Sequence, residues 1–178
     1  MNDVSLFSSK AAMSSNEGAA SATASSGASE GSYDLEVTQL AQAHTWLLKG
    51  SNSVSAQDDP SEITDGVTLG FEHGGTSFSL TTDETTTLSD IAQAVNETED
   101  LGVTATVVNT GTEDSPNYSI KLKSDTTGTG SNLITSDGTT PGAEIAGGTL
   151  FSDGDAQEEA QTGRNAEFTI DGVSYERT

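Results

Sequence analysis

The chain has 178 residues, no cysteine, and 28 acidic against 6 basic side chains, for a formal net charge of −22. That balance excludes a nucleic-acid partner and an anionic membrane surface, since both are recognised through clustered Lys and Arg. The missing thiols exclude disulfide stapling and thiolate metal sites.

Only 31% of residues are hydrophobic and 5% aromatic, so small cores joined by polar segments are expected rather than one core spanning the chain. The acids are spread along the sequence, which reads as a solvated surface that resists aggregation. No apolar run approaches the ~20 residues needed to cross a bilayer. The first residues, MNDVSLFSSK, lack the apolar stretch of a secretory signal.

In chain order, residues 1–32 are rich in Ser, Ala and Gly and read as a flexible linker or leg. Tyr33, Leu35 and Val37 alternate with polar residues, the period of a half-buried strand. Trp46, Leu47 and Leu48 form a second apolar anchor, either packing within a domain or centring an interface. Residues 49–66 are polar and rich in turn formers.

A hairpin follows, with Val67, Leu69 and Phe71 on one strand and Phe78 and Leu80 on the other. His73-Gly74-Gly75-Thr76 supplies its turn. A helix is predicted over Leu88–Glu97, because Leu88, Ile91, Ala92 and Val95 form one stripe. Thr87 is its N-cap and Asp90 completes a capping box.

VTATVVN and NYSIKLK form a second hairpin that lays Val103, Ala105, Val107, Tyr118, Ile120 and Leu122 against the helix. Residues 66–135 thus make a ββαββ unit. Its core residues are Leu88, Ile91, Val95, Val103, Val107, Tyr118 and Ile120.

Beyond it, Leu133-Ile134 suggests one short strand, and GDAQEEAQTG suggests a turn or two of helix. NAEFTIDGVSYERT is a hairpin around the Asp171-Gly172 turn. Thr178 falls inside its second strand, so a fragment of a longer protein is expected. The fold class is α+β and mainly β: small antiparallel sheets, one helix in the ββαββ unit, and a second β-rich head domain only partly present. Residues 33–65 and 136–178 are expected to build that head domain, with 66–135 inserted in it.

Chemistry is sparse. Asp153, Asp155, Glu158 and Glu159 offer oxygens to Ca²⁺, yet their spacing misses the EF-hand loop. Paired carboxylates for glycoside hydrolysis need a cleft and one raised pKa, and nothing in the pattern builds one. His44 and His73 have no nucleophile pattern beside them. TTGTGSN lacks the Lys of a phosphate loop. No enzyme activity, metal or cofactor is expected, and the sheet edges are left as places where subunits could pair.

Four segments, in order, resemble the bacterial flagellar filament-capping proteins (hook-associated protein 2, the FliD family). YDLEVTQLAQAH resembles the family's strand after its Ser/Ala-rich connection. TTLSDIAQAVNETEDLGVTATVVN resembles the flagellin hook IN motif, with Val95-Asn96 standing where that motif has Ile-Asn. YSIKLKSDTTGTGSNLI and AQEEAQTGRNAEFTIDGVSYERT resemble later head segments.

The resemblance implies a non-enzymatic structural protein at the distal filament tip, outside the cell, exported by the flagellar type III apparatus. It implies a ring-like homo-oligomer that promotes flagellin polymerisation and folding and prevents loss of monomers. Its other implied partners are hook-associated and export-chaperone proteins. An acidic adhesin or calcium-stabilised surface module, and a hook–filament junction protein, remain the alternatives.

Overall fold

The computed structural model describes residues 10–18, 20–50, 54–134, 142–152 and 154–178. The expected linker before residue 10, the stretch 135–141 and the candidate ligand Asp153 lie outside them. Two compact units are present, Met1–Asp34 and Leu35–Thr178. The first has no helix or strand among its described residues. It contains an Asn16 turn, in which Gly18 N donates to Asn16 Oδ1 at 3.2 Å, and an ion pair between Lys10 and Glu30 at 3.0 Å.

Besides two short 3-10 turns, the second unit is built from ten strands and one α-helix among its described residues. They are β1 (Leu35–Gln39), β2 (Thr45–Gly50), β3 (Thr68–His73), β4 (Thr76–Thr81), α1 (Leu88–Glu97), β5 (Val103–Asn109), β6 (Tyr118–Ser124), β7 (Glu144–Ala146), β8 (Asp155–Gln161), β9 (Ala166–Ile170) and β10 (Val173–Arg177). They form three antiparallel sheets, ordered β1-β9-β10, β5-β6-β2-β8 and β4-β3-β7.

The helix has the bounds its periodicity predicts. Thr87 is extended at φ −111°, its Oγ1 accepts from Asp90 N at 3.2 Å, and its own N–H donates to Asp90 Oδ2 at 2.9 Å. This reciprocal pair satisfies two donors at the helix start. Leu88, Ile91, Ala92 and Val95 are buried, and α1 lies along β5. Two of the three predicted hairpins turn on two residues of positive φ: Gly74 and Gly75 at 60° and 86°, Asp171 and Gly172 at 50° and 79°. This backbone matches the right-handed twist of the flanking strands.

The two hairpins of the ββαββ unit do not pair with each other. β3 and β4 take β7 as their third strand, whereas β5 and β6 are extended by β2 and β8. The four-stranded sheet therefore combines residues 103–124 with strands from both flanking stretches. The sheets do not coincide with an insert at 66–135.

β2 and β8 were not expected as strands. TWLLKG shows no alternation, because Trp46 and Leu48 face the core while Leu47 faces out opposite Glu158 and Lys121. DAQEEAQ has the composition of a helix, but here it is a strand. Pairing with β2 satisfies its backbone and overrides that weak propensity.

The core joins Leu48, Val54, Ile63, Val67, Leu69, Phe71, α1, Ile120, Leu122, Leu133, Leu150 and Phe151 into one cluster. Among the described residues, the sheet β1-β9-β10 contributes nothing to it.

Candidate interaction surface and the buried histidine pair

The hook-like segment places its residues on two tasks. Leu88, Ile91, Val95, Val103 and Ile120 are buried, and Val107 and Tyr118 are partly buried against them. Asn96 works on the backbone. Its Nδ2 donates to Ala105 O at 3.0 Å and its Oδ1 accepts from Ala105 N at 2.8 Å. β5 is the edge of its sheet, so this amide supplies the two bonds a neighbouring strand would make.

Trp46 is partly buried, its Nε1–H donates to Gln157 Oε1 at 3.1 Å, and it lies against Gly142. Leu48 is wholly buried in the core, and Leu47 is half-buried on the opposite face. Of these three, only Leu47 faces away from the core.

Four of the exposed large apolar side chains, Leu35, Val37, Val173 and Tyr175, lie elsewhere, on β1-β9-β10. The register brings Leu35, Ile170 and Val173 into one row and Val37, Phe168 and Tyr175 into the next. Since facing residues of adjacent strands share a side of the sheet, the six make a continuous apolar face. Val173 is 56% exposed, Leu35 43% and Val37 44%. The Phe168 and Tyr175 rings stack with centroids 5.6 Å apart, and the Arg177 guanidinium lies 5.9 Å from the Tyr175 ring centre. Leu40, 72% exposed, follows β1. The alternation was legible in sequence; that this face packs against nothing in the core was not.

The described acids of the acidic loop are each engaged separately. Asp155 accepts from Leu150 N and Phe151 N at 2.9 Å each, Glu158 pairs with Lys49 at 2.7 Å, and Glu159 bonds His44. The Lys49 ammonium bonded to Glu158 holds its carboxyl below the usual range. Among the described residues no three His, Asp or Glu side chains gather as a metal site.

Both histidines are buried, and His73 was expected in a turn. It ends β3 instead. Its Nδ1–H donates to Leu101 O at 2.7 Å, and its Nε2 meets Ser124 Oγ at 3.0 Å, tying β3 to the end of the helix–strand connection and to β6.

His44 sits just before β2. Its Nδ1 accepts from Leu133 N at 2.9 Å and its Nε2 lies 3.1 Å from Glu159 Oε1. A backbone N–H can only donate, so Nδ1 carries no proton and the ring is neutral, with Nε2–H donating to the carboxylate. Burial, the largest influence, holds the imidazole below its ordinary range. The Glu159 carboxylate opposes that shift, and His73 adds to it.

Two segments of the chain match families of flagellar proteins. The family described as flagellin hook IN motif matches residues 68–126, and that described as flagellar hook-associated protein 2 N-terminus matches residues 1–44. Together with the relatives below, these two matches support reading the chain as a fragment of a flagellar hook-associated protein 2 (FliD).

It is 30% identical over 190 residues to the flagellar hook-associated protein 2 of Campylobacter jejuni, a match that covers 89% of this chain and 29% of that protein. The chain thus spans under a third of that relative's length. Its fold is similar to the crystal structure of the D2-D3 domains of the flagellar cap protein FliD from Escherichia coli. The TM-score is 0.66 at 23% identity, covering 88% of this chain and 79% of that one. FliD from Pseudomonas aeruginosa superposes with a TM-score of 0.59 at 25% identity, covering 89% and 70%.

Proposed function

We propose that the chain is the head portion of a flagellar cap and acts without catalysis. It stands at the distal end of the filament, outside the cell, in a ring-like assembly of its own copies. There it promotes flagellin polymerisation and folding and prevents loss of monomers. Export by the flagellar type III apparatus belongs to the same reading, as do contacts with hook-associated and export-chaperone proteins.

The observation that carries the reading is the pairing of a closed hook-motif core with an apolar sheet face left outside that core. Six apolar side chains on β1-β9-β10 offer a surface suited to burial against another protein. The shift of Glu158 comes from an ion pair on the sheet's outer face, and that of His44 from burial; neither serves a cleft with a substrate-sized space. The family matches at residues 1–44 and 68–126 and the shared fold support the same conclusion.

Deletion of the gene, followed by electron microscopy and assay of the medium, tests it. Cells without filaments that release unpolymerised flagellin are expected. Normal filaments in the deletion strain would overturn the reading.

A further inference from the structure

We propose that His44 is a proton-operated latch that holds Leu133, the middle of the strap Asn132–Ile134, when neutral and releases it when protonated.

The strap is stitched to three parts of the fold. Asn132 Oδ1 accepts from Gly163 N at 3.0 Å, Leu133 N donates to His44 Nδ1 at 2.9 Å, and Ile134 exchanges backbone bonds with Glu72 on β3 at 2.8 and 3.0 Å. The middle stitch depends on charge. A proton on Nδ1 sets an N–H against the N–H of Leu133, and two donors cannot share that space. The backbone amide cannot change its role, so the strap must move or the proton must stay off. His44 and Leu133 are both fully buried, so no water stands ready to replace the lost bond.

The groups facing the ring set the threshold. Glu159 on β8 favours the proton, and its hydrogen bond survives protonation because Nε2–H already donates to it. His73 on β3 disfavours it by like charge. On β6, Ser124 is neutral and its N–H donates to His44 O at 3.0 Å, while Lys123 and Asp125 beside it are exposed. Glu72, paired with Ile134, is half-buried. The strap itself carries no titratable side chain.

Neutral His44 is therefore the folded form. Keeping the ring neutral costs nothing above the ordinary imidazole pKa of about 6.5 and costs increasingly more, against the closed strap, as pH falls below it. Opening is local, because the bonds of Ile134 to Glu72 and of Asn132 to Gly163 do not titrate in this range. The inference stands apart from the cap reading, since it concerns one bond within the fold.

Hydrogen exchange of the 178-residue chain tests it, between pH 7.5 and 5.5 and corrected for intrinsic rates. The Leu133 amide should lose protection by up to about tenfold per pH unit once the ordinary imidazole range is passed. In His44→Asn the side-chain oxygen can still accept but cannot be protonated, and its protection should stay flat. Constant protection in the unsubstituted chain, or an equal loss in His44→Asn, would overturn the latch.

Nitrogen NMR of the His44 ring provides a second reading that needs no substitution. A neutral ring protonated at Nε2 at pH 7.5, with a midpoint below the ordinary imidazole value, is expected. A doubly protonated ring at that pH, or a midpoint at or above the ordinary value, would equally overturn it.

Discussion

Asn96 and Ala105 exchange two hydrogen bonds, side chain to backbone, at 3.0 and 2.8 Å across the outer edge of β5. The amide imitates one residue of a missing strand, which explains the value of a carboxamide after the buried Val95. Asn96→Ala removes donor and acceptor together and should cost about 1–2 kcal/mol, roughly 2–8 °C in Tm for a domain of this size. Asn96→Asp keeps the acceptor but sets a carboxylate against the Ala105 carbonyl, so it should be no better than alanine. Calorimetry reads both, and an unchanged Tm in both would show that the edge needs no seal.

The helix start offers a smaller and independent effect. Thr87→Ala removes the Oγ1 acceptor for Asp90 N and should cost about 1 kcal/mol. Thr87→Ser restores most of it. Chemical denaturation with an unchanged m-value distinguishes this from a loss of compactness.

Gly142 has φ +125°, and a Cβ there would stand 2.6 Å from Cζ2 of Trp46. Gly142→Ala adds backbone strain to this clash, and a penalty above about 2 kcal/mol is expected. The chain has a single tryptophan, so a shifted emission maximum reports the displaced ring directly.

Val173→Ser with Tyr175→Ser thins the apolar face of β1-β9-β10 without touching the core. Stability should change by less than about 0.5 kcal/mol per site, while self-association read by sedimentation should fall. A large loss of Tm with unaltered association would place that face inside the fold's own energetics instead.

The depressed imidazole of His44 gives the whole domain a pH dependence of known sign. The unfolded chain binds the proton more readily than the folded one, so stability is complete above about pH 6.5 and declines as pH falls below it. Melting curves at pH 7.5, 6.5 and 5.5 should show this decline, and His44→Asn should flatten it.

The sequence made the local devices readable. The helix stripe, its capping box and the two-residue turns are each encoded within a few neighbouring residues, and each stands where its pattern puts it. β2 and β8 were illegible for the same reason in reverse. Trp46-Leu47-Leu48 has no alternation of its own, and Asp155–Gln161 favours helix until another strand claims it. His44 was read as an isolated residue because its partners are Leu133 and Glu159, 89 and 115 residues away. The apolar strands at 35–37 and 168–175 were visible, but alternation cannot tell a face that meets the core from one that does not.

Trp46 and Gln157 meet at 3.1 Å although 111 residues separate them. β2 therefore waits, with one edge unmatched, until almost all of the second unit has followed it. A chain that emerges from its N-terminus can form its helix cap and its tight turns at once, because those need only neighbours. The sheet that unites the core cannot close until residue 155 and beyond arrive, and closure across so long a separation is slow. The topology thus works as a delay line. It makes compaction one of the last events in the formation of the fold.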